Sequence, residues 1–330
     1  MRGDAVGVEA WFGTRTSTSA SWCRQRLAEV KGEATVSLVV PAQDEASTIG
    51  AIISALRTEL VEMVPLVDEL VVIDSRSSDD TAVVADRAGA RVVRQEAVLP
   101  ELGNLSGKGE ALWKSLHVTS GDIVAFVDGD LHDFDAQFAV GLLGPLLTDE
   151  TVAFVKAFYD RPLANGERIL PAGGGRVTEL VARPLLNLHW PSLSWFVQPL
   201  AGEYAARRSL LEQLPFVSGY GVEVAMLIDV VEKVGLCAMA QVDLGTRKHR
   251  NSSDAALGRM AAQVYLALLS RLQRYGKAQI LVPPTPRMTQ FLREGGVYEA
   301  DIADVGITER PPMIETPQYR RQMTGRPVWT

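Results

Sequence analysis

The feature that most constrains the fold is an apolar run that ends in two aspartates. Residues 123–131 read Ile-Val-Ala-Phe-Val-Asp-Gly-Asp-Leu. A buried parallel strand is apolar on both faces, so acidic residues at its end indicate where the chain leaves the core. Ligands of open α/β sheets bind at that carboxyl end. Asp128 and Asp130, with Gly129 between them, indicate a divalent metal held against a diphosphate; an Asp-Gly turn with incidental charges is the alternative.

The segments before this motif alternate between short apolar runs and amphipathic stretches. We expect strands at residues 35–41, 69–74, 90–94 and 123–127, and helices at residues 47–60, 81–88 and 108–118. Strands that alternate with helices predict a mainly parallel sheet with right-handed crossovers, flanked by helices. The expected fold class is therefore α/β.

Both ends of the chain lack this alternation. Residues 1–34 are polar, rich in Ser and Thr and weakly periodic, so we expect a surface arm with a short helix at residues 21–31. From residue 283 to residue 330, proline and charged residues become denser, which predicts an extended tail. One folded domain is expected between these two segments.

The composition restricts the partners and the compartment. A net charge of -7 argues against a general nucleic-acid binder, which usually carries a basic excess. Only Cys23 and Cys237 are present, without metal-ligand spacing, which is typical of the reducing cytoplasm. No apolar run reaches the roughly 20 residues that span a bilayer, and the N-terminus lacks the apolar core of a signal peptide. We expect a cytoplasmic protein without membrane contact.

Two further strand ends carry candidate binding residues. The first strand ends at Pro41, Ala42 and Glu45, and the second ends at Asp74 and Ser75. Polar side chains at this edge of a parallel sheet can bind a ribose or a base, whereas capping of the next helix is the alternative for the aspartates that follow. Neither G-x-G-x-x-G after the first strand nor G-x-x-x-x-G-K-[ST] occurs, which disfavours a dinucleotide oxidoreductase and a P-loop ATPase.

Two glycine-flanked basic residues begin expected helices. Lys108 follows a glycine and would help the helix amides attract an anion, although an exposed lysine is the simpler interpretation. Arg176 follows three glycines, the last of which is Gly175, and precedes the hydroxyl of Thr178. This run predicts either a phosphate site or a flexible hinge, and a mobile lid over residues 165–175 would combine the two.

The last candidates are a basic strand end and an isolated glutamate. Arg247, His249 and Asn251 alternate along an extended segment and share one face, unless the segment is only a solvated basic loop. His249 together with Asp130 would suit Mn²⁺ or Mg²⁺. Glu203 lies among small residues, with buried ion pairing as the alternative to a role in the site.

With these motifs, the chain resembles the actinobacterial glucosyl-3-phosphoglycerate and mannosyl-3-phosphoglycerate synthases of glycosyltransferase family 81. The resemblance covers residues 36–251. Its motifs are P-A-x-D-E at 41–45, I-D-S-x-S-x-D-D-T at 73–81, G-K-G-E-A-L-W at 107–113, G-G-G-R-V-T-E-L-V-A-R-P-L-L at 173–186, G-E-Y-A-A at 202–206, G-Y-G-V-E at 219–223 and R-x-H-R-N at 247–251. Two positions depart from the mycobacterial pattern, Gly129 where Ser is expected and Ala201 where Gly is expected, which leaves the donor preference open.

The resemblance implies a GT-A-type fold and a retaining transfer of a hexose from a nucleotide diphosphate sugar to 3-phosphoglycerate. The donor would be GDP-mannose, UDP-glucose or GDP-glucose, and the cofactor Mg²⁺ or Mn²⁺. The implied nucleotide contacts are Pro41, Ala42, Glu45, Ser75, Lys108, Asp128 and Gly129. The implied acceptor contacts are Gly175, Arg176, Thr178 and Asn251, the metal ligands are Asp130 and His249, and Arg247 lies near the reacting centre.

In this interpretation residues 35–131 form the nucleotide-sugar half and residues 132–282 the acceptor half of one domain, and the protein is a homodimer. Retention without an evident nucleophile favours front-side attack, with Glu203 in a supporting role. The alternatives are a sugar-nucleotide-forming nucleotidyltransferase, a glycosyltransferase with another anionic acceptor and a non-catalytic nucleotide-sugar sensor. The nucleotidyltransferase is disfavoured because its usual Gly-rich basic loop is missing after the first strand.

Overall fold

The computed structural model describes residues 2–160, 163–165, 168–170, 175–247 and 253–324. Its helices are α1 (Arg2–Arg15), α2 (Arg24–Lys31), α3 (Ile49–Arg57), α4 (Thr81–Arg87), α5 (Lys108–Val118), α6 (Gln137–Thr148), α7 (Arg183–His189), α8 (Arg208–Leu211), α9 (Val222–Val234), α10 (Asp254–Arg274) and α11 (Pro317–Thr324). Its strands are β1 (Thr16–Thr18), β2 (Val36–Ala42), β3 (Glu69–Asp74), β4 (Arg91–Arg94), β5 (Ile123–Phe126), β6 (Phe154–Asp160), β7 (Leu163–Asn165), β8 (Arg168–Leu170), β9 (Tyr204–Arg207), β10 (Phe216–Val217), β11 (Met239–Thr246), β12 (Arg287–Glu294), β13 (Val297–Asp304) and β14 (Glu309–Arg310). Within these ranges, no helix combines the length and apolar composition that crossing a membrane requires.

One eight-stranded sheet carries the fold, in the order β1-β11-β6-β9-β5-β2-β3-β4. Strand β9 runs antiparallel to both of its neighbours, β5 and β6. All other neighbouring strands are parallel. The predicted α/β class with a mainly parallel sheet flanked by helices is therefore confirmed.

The core has two layers because successive side chains of a strand point to opposite faces of the sheet. Val39 packs in one apolar cluster, which includes Trp113 of α5. Leu38 and Val40 pack in the other cluster, which includes Ile52 of α3. The predicted strands 35–41, 69–74 and 90–94 correspond to β2, β3 and β4, so the apolar runs located these strands to within a few residues.

The N-terminal segment differs from the predicted surface arm. Strand β1 extends the central sheet by pairing in parallel with β11. Trp11 of α1 is buried at 5% exposure, and its indole Nε1 donates a 2.9 Å hydrogen bond to the Met239 carbonyl. Leu27 of α2 is also buried, at 1% exposure. Residues before position 35 are thus part of the domain, and only the short helix of that prediction, now α2, was located.

The C-terminal segment also differs from the predicted extended tail. Strands β12 and β13 form an antiparallel hairpin, and β14 pairs with β10. Arg310 forms a 2.7 Å ion pair with the buried Glu110, and Tyr319 of α11 is fully buried. The chain therefore returns to the core after the hairpin, although its proline content suggested otherwise.

Candidate active site

A cleft of about 620 Å³ lies where the central strands β2, β3 and β5 end. Since parallel strands bring their carboxyl ends to one edge, these ends meet although they are far apart in sequence. The predicted site residues that line the cleft are Pro41, Ala42, Glu45, Ser75, Lys108, Asp128, Gly129, Asp130, Gly175, Arg176, Thr178 and Arg247. The structure thus brings to one cavity all the expected nucleotide contacts and, of the expected acceptor contacts, Gly175, Arg176 and Thr178, while the role of each residue stays a prediction.

The loops after β2 and β3 hold each other in place. The Asp44 carboxylate accepts a 2.6 Å hydrogen bond from the Ser78 backbone N–H. The Glu45 N–H donates to the Thr81 hydroxyl at 2.7 Å, and the Ala46 N–H donates to the Asp79 carboxylate at 3.1 Å. Asp79 and Thr81 therefore act on the shape of the cleft through the backbone of the β2 loop, rather than by lining it.

Alternating charges form the floor of the cleft. Lys108 Nζ lies 2.5 Å from Asp128 Oδ1 and 3.2 Å from Glu223 Oε1. Arg247 lies 3.3 Å from Asp128 Oδ2 and 2.9 Å from Asp130 Oδ1. Asp128 thereby joins two cations, and both carboxylates of the acidic motif already have a positive partner.

Burial lowers the pKa of both Lys108 and Arg247, but the neighbouring carboxylates raise each pKa by more. Burial alone lowers the pKa of Lys108, whereas Asp128 and Glu223 hold that pKa above its usual range. The pKa of Arg247 is likewise raised, because Glu203 and the acidic motif overcome the effect of burial. Both residues therefore carry a full positive charge across the physiological pH range, as binding of a diphosphate requires.

The two glycines Gly202 and Gly129 differ in the space that surrounds them. Gly202 lies against the Lys108–Asp128 ion pair, and a Cβ there would collide with both charged groups. Its carbonyl accepts a 3.0 Å hydrogen bond from Lys108 Nζ. Gly129, in contrast, has room: a Cβ would meet Pro41 O at 3.4 Å, an ordinary contact. The departure from Ser at position 129 is thus not imposed by the backbone.

The far wall of the cleft carries the predicted acceptor residues. Arg176 is 40% exposed and pairs with Asp254, which is 91% exposed. Gly175 has φ +84°, a left-handed conformation that favours glycine, and Thr178 is buried. The predicted acceptor residue Asn251, the predicted metal ligand His249 and the first glycines of the triplet lie outside the described residues. Within the described part of the chain, no three His, Cys, Asp or Glu side chains form a metal-binding group.

Glu203 lies behind the cleft instead of lining it. Its side chain is 1% exposed, and its Oε1 accepts a 2.6 Å hydrogen bond from Arg247 Nη1. Tyr159 accepts a second hydrogen bond from the same nitrogen, also at 2.6 Å. Among the described contacts, Glu203 is joined to the cleft through the Arg247 guanidinium, and its supporting role stays a prediction.

The cleft has a wall that the sequence did not assign. Its members are Tyr220, Glu223, Leu257, Met260 and Gln263. The first two belong to the quoted G-Y-G-V-E motif, which was a usable signal. The other three lie on α10 at intervals of three residues, a spacing that does not differ from that of a helix packed on a core.

The chain is similar to known glycosyltransferases in its family profile, in its sequence and in its structure. The profile named Glycosyl transferase family 2 matches residues 37–190. The glucosyl-3-phosphoglycerate synthase of Petrotoga mobilis is 44% identical over 294 residues, which are 89% of this chain and 90% of that protein. The sequence is thus similar to a glycosyltransferase over nearly its whole length.

Solved structures agree with the sequence comparison. The mannosyl-3-phosphoglycerate synthase of Rubrobacter xylanophilus superposes with a TM-score of 0.86 at 41% identity, covering 93% of this chain and 99% of that one. The glucosyl-3-phosphoglycerate synthase of Mycobacterium tuberculosis, solved with Mn²⁺, UDP and glucosyl-3-phosphoglycerate, gives a TM-score of 0.77 at 47% identity, covering 88% of this chain and 95% of that one.

Proposed function

Since the chain belongs to the family of glucosyl- and mannosyl-3-phosphoglycerate synthases, we propose that it transfers a hexose from a nucleotide diphosphate sugar to 3-phosphoglycerate. One observation supports this best: a single cleft contains the acidic strand end with Asp130 and the glycine-flanked Arg176. A neutral acceptor would have no use for a guanidinium fork beside a site for a metal-bound diphosphate.

For the donor, we propose glucose carried by UDP. The relative from Petrotoga mobilis is named a glucosyl synthase, and the structure from Mycobacterium tuberculosis contains UDP. GDP-mannose and GDP-glucose stay as alternatives, because the structure with the TM-score of 0.86 is that of a mannosyl synthase. Pro41, Ala42, Glu45 and Ser75 are the proposed contacts to the nucleoside.

Asp130 is the proposed metal ligand, with His249 as its partner. The Asp130 carboxylate is 50% exposed and lines the cleft, so it is accessible to an ion. A carboxylate and an imidazole suit Mn²⁺ or Mg²⁺. When bound, such an ion acts as a Lewis acid toward the departing diphosphate.

Two basic residues of this chain would neutralise the remaining negative charge of the leaving diphosphate. Lys108 and Arg247 are positioned to neutralise the phosphate oxygens as the glycosidic bond to the anomeric carbon breaks. The acceptor hydroxyl attacks from the side that the phosphate leaves, and its proton passes to a phosphate oxygen of the leaving group. The anomeric configuration is thereby retained without a covalent intermediate.

On the acceptor side, we propose that Arg176 binds the phosphate of 3-phosphoglycerate together with Gly175, Thr178 and Asn251. In the structure Arg176 pairs with Asp254, whose side chain is almost fully exposed. Exchanging this partner for a phosphate costs little because exposed ion pairs contribute only ~0–1 kcal/mol. The acceptor phosphate thus replaces a weak contact with a bidentate one.

A donor panel tests this function. UDP-glucose, GDP-glucose and GDP-mannose, each labelled in the sugar, are incubated with 3-phosphoglycerate and Mg²⁺ or Mn²⁺. Labelled hexosyl-phosphoglycerate supports the proposal, and the preferred donor identifies the sugar. Release of pyrophosphate from a nucleoside triphosphate and a sugar phosphate would indicate a nucleotidyltransferase. Binding of a donor without transfer to any anionic acceptor would indicate a sensor.

We also propose a homodimer in the cytoplasm. The β12–β13 hairpin exposes large apolar side chains, including Phe291 at 68%, Tyr298 at 67% and Ile302 at 65%. Such a patch on a β-hairpin is typical of a contact between copies of a chain. Light scattering should give twice the monomer mass, and Phe291→Asp should halve it. The cytoplasm is proposed from the cysteine usage, two residues in 330, which is typical of a reducing compartment.

A further inference from the structure

A lysine is buried beneath the cleft without a hydrogen bond. Lys156 of β6 is 1% exposed, and its Nζ lies 4.7 Å above the Tyr204 ring of the adjacent strand β9. Among the described residues, neither Lys156 Nζ nor the buried Tyr204 hydroxyl has a hydrogen-bond partner. An uncompensated buried amine of this kind costs stability, so its presence calls for a physical reason.

The charges that act on this amine belong to the proposed donor site. They come from Glu223 of α9, Lys108 of α5, Glu203 directly before β9 and Asp128 after β5. The whole assembly contains three cations, Lys108, Arg247 and Lys156, and four carboxylates, Asp128, Asp130, Glu203 and Glu223. Lys156 is the only one of these cations that forms no ion pair in the described structure.

Binding of a diphosphate changes the partners of this network. In the structure Glu223 is held by Lys108, whose Nζ is 3.2 Å away. If Lys108 turns to the phosphates, Glu223 loses its cation while it is still only 8% exposed. A buried carboxylate cannot stay charged and fixed without a new partner. Lys156 is the additional cation available to Glu223, since Glu223 acts more strongly than Glu203 or Asp128 to raise the pKa of that buried amine.

We propose that Lys156 is a positioning residue of the donor site: it becomes the counter-charge of Glu223 when the donor diphosphate draws Lys108 away, and thereby keeps Glu223 in place on the cleft wall. This inference rests on the proposed function, since it requires a diphosphate donor. Lys156 itself does not line the cleft, so it acts through Glu223 and touches neither substrate.

The exchange of partners should be measurable as a change in the protonation of Lys156. Burial lowers the pKa of Lys156 to about 7, and Lys108 adds to the lowering, while Glu223, Glu203 and Asp128 oppose it. Most of the amine is therefore neutral in the free protein at pH 8. A diphosphate beside it, and Glu223 freed from Lys108, both raise this pKa. Donor binding at pH 8 should then take up a proton, approaching one per site.

Lys156→Met tests the inference, because methionine keeps the length of the stem and removes the amine. We expect the melting temperature to stay the same or rise, since a buried amine without a hydrogen-bond partner has been replaced by an apolar group. We expect kcat/KM for the donor to fall by about tenfold or more, with the acceptor KM nearly unchanged. A lysine with a purely structural role would lower stability and both substrate parameters together.

Calorimetry supplies the second measurement. UDP with Mn²⁺ is titrated into the protein at pH 8 in two buffers that differ in ionisation enthalpy. The wild type should take up a proton, and Lys156→Met should not. The matched control is Lys31→Met, which removes another buried lysine, paired with Asp68 at 2.6 Å and remote from the cleft. This control should keep both the proton uptake and the donor KM.

The outcomes separate this inference from the proposed function. Unchanged donor kcat/KM in Lys156→Met, or no proton uptake by the wild type, would overturn the role of Lys156. If Lys156→Met fails to fold, absence of proton uptake by the wild type still overturns the inference. If the proton uptake with UDP and Mn²⁺ depends on Lys156 but no hexose is transferred, the proposed reaction is wrong and the exchange of Glu223 from Lys108 to Lys156 stands.

Discussion

Replacing Glu203 by glutamine distinguishes the two routes to a retained configuration. Glu203 Oε1 and Arg247 Nη1 are 2.6 Å apart, and the side chains are 1% and 6% exposed. Front-side attack needs Glu203 only to hold the guanidinium. A double displacement needs the carboxylate as a nucleophile, although it does not line the cleft.

The size of the effect follows from the partners that Arg247 keeps. Glutamine preserves the shape and an acceptor oxygen, and Arg247 still contacts Asp128, Asp130 and Tyr159. The loss is therefore no more than one charged hydrogen bond, ~1.5–3 kcal/mol. This corresponds to a roughly ten- to hundredfold fall in kcat/KM. Removal of a covalent nucleophile costs far more, on the order of 10⁶ in kcat for a serine protease.

Transfer of labelled hexose is measured for Glu203→Gln and for Glu203→Ala with and without azide. We expect residual activity in the glutamine variant and no rescue of the alanine variant. Activity at background in both variants, with azide restoring turnover and forming a glycosyl azide, would refute front-side attack. Asp229→Asn is the matched control: it neutralises a carboxylate that is 1% exposed and paired with Arg271 at 2.7 Å, yet it is remote from the cleft.

Three more changes have expected outcomes. Asp130→Ala should lower turnover at least ~10²-fold, because a Lewis acid contributes several kcal/mol. Excess EDTA should abolish activity and added Mn²⁺ should restore it. Full activity in EDTA would contradict a metal requirement. Arg176→Ala should reduce kcat/KM for the acceptor by ~10–100-fold and leave the donor KM unchanged, with Arg176→Lys recovering part of the loss; a raised donor KM instead would reverse the assignment. Trp11→Ala should cost ~3–5 kcal/mol of unfolding free energy in urea denaturation; a cost near zero would mean that α1 is not part of the core.

The gathering of the proposed donor residues in one cleft was predictable because its signals are local. Most of these residues lie at the end of a strand whose apolar run is visible in the sequence, as Ser75 follows β3 and Asp128 follows β5. A parallel sheet then brings these ends together by topology alone, without any knowledge of side-chain packing. The same reasoning located the strands of that half to within a few residues.

The edge strand β1 could not be predicted for the opposite reason. Three polar residues, Thr16–Thr18, carry no apolar alternation, and their partner Gln241 lies more than two hundred residues later in the chain. The free energy of this pairing comes from hydrogen bonds to β11 and from the burial of Trp11 beside it. Neither contribution leaves a pattern in residues 1–34, because both depend on a partner that only the fold supplies.

The difference between local signals and contacts made by the fold also explains why the sequence identified the charged residues of the site but not which of them pair with one another. Lys108, Arg247 and Glu203 were each selected for their residue type, yet their connection through Asp128 appears only in the folded chain. Lys156 was passed over because a lysine inside an apolar strand has no local explanation. The charges that act on it come from α5, from α9 and from the ends of β5 and β9, segments that only the fold brings together. Residues whose function depends on such packing are those for which substitution experiments add most to the sequence.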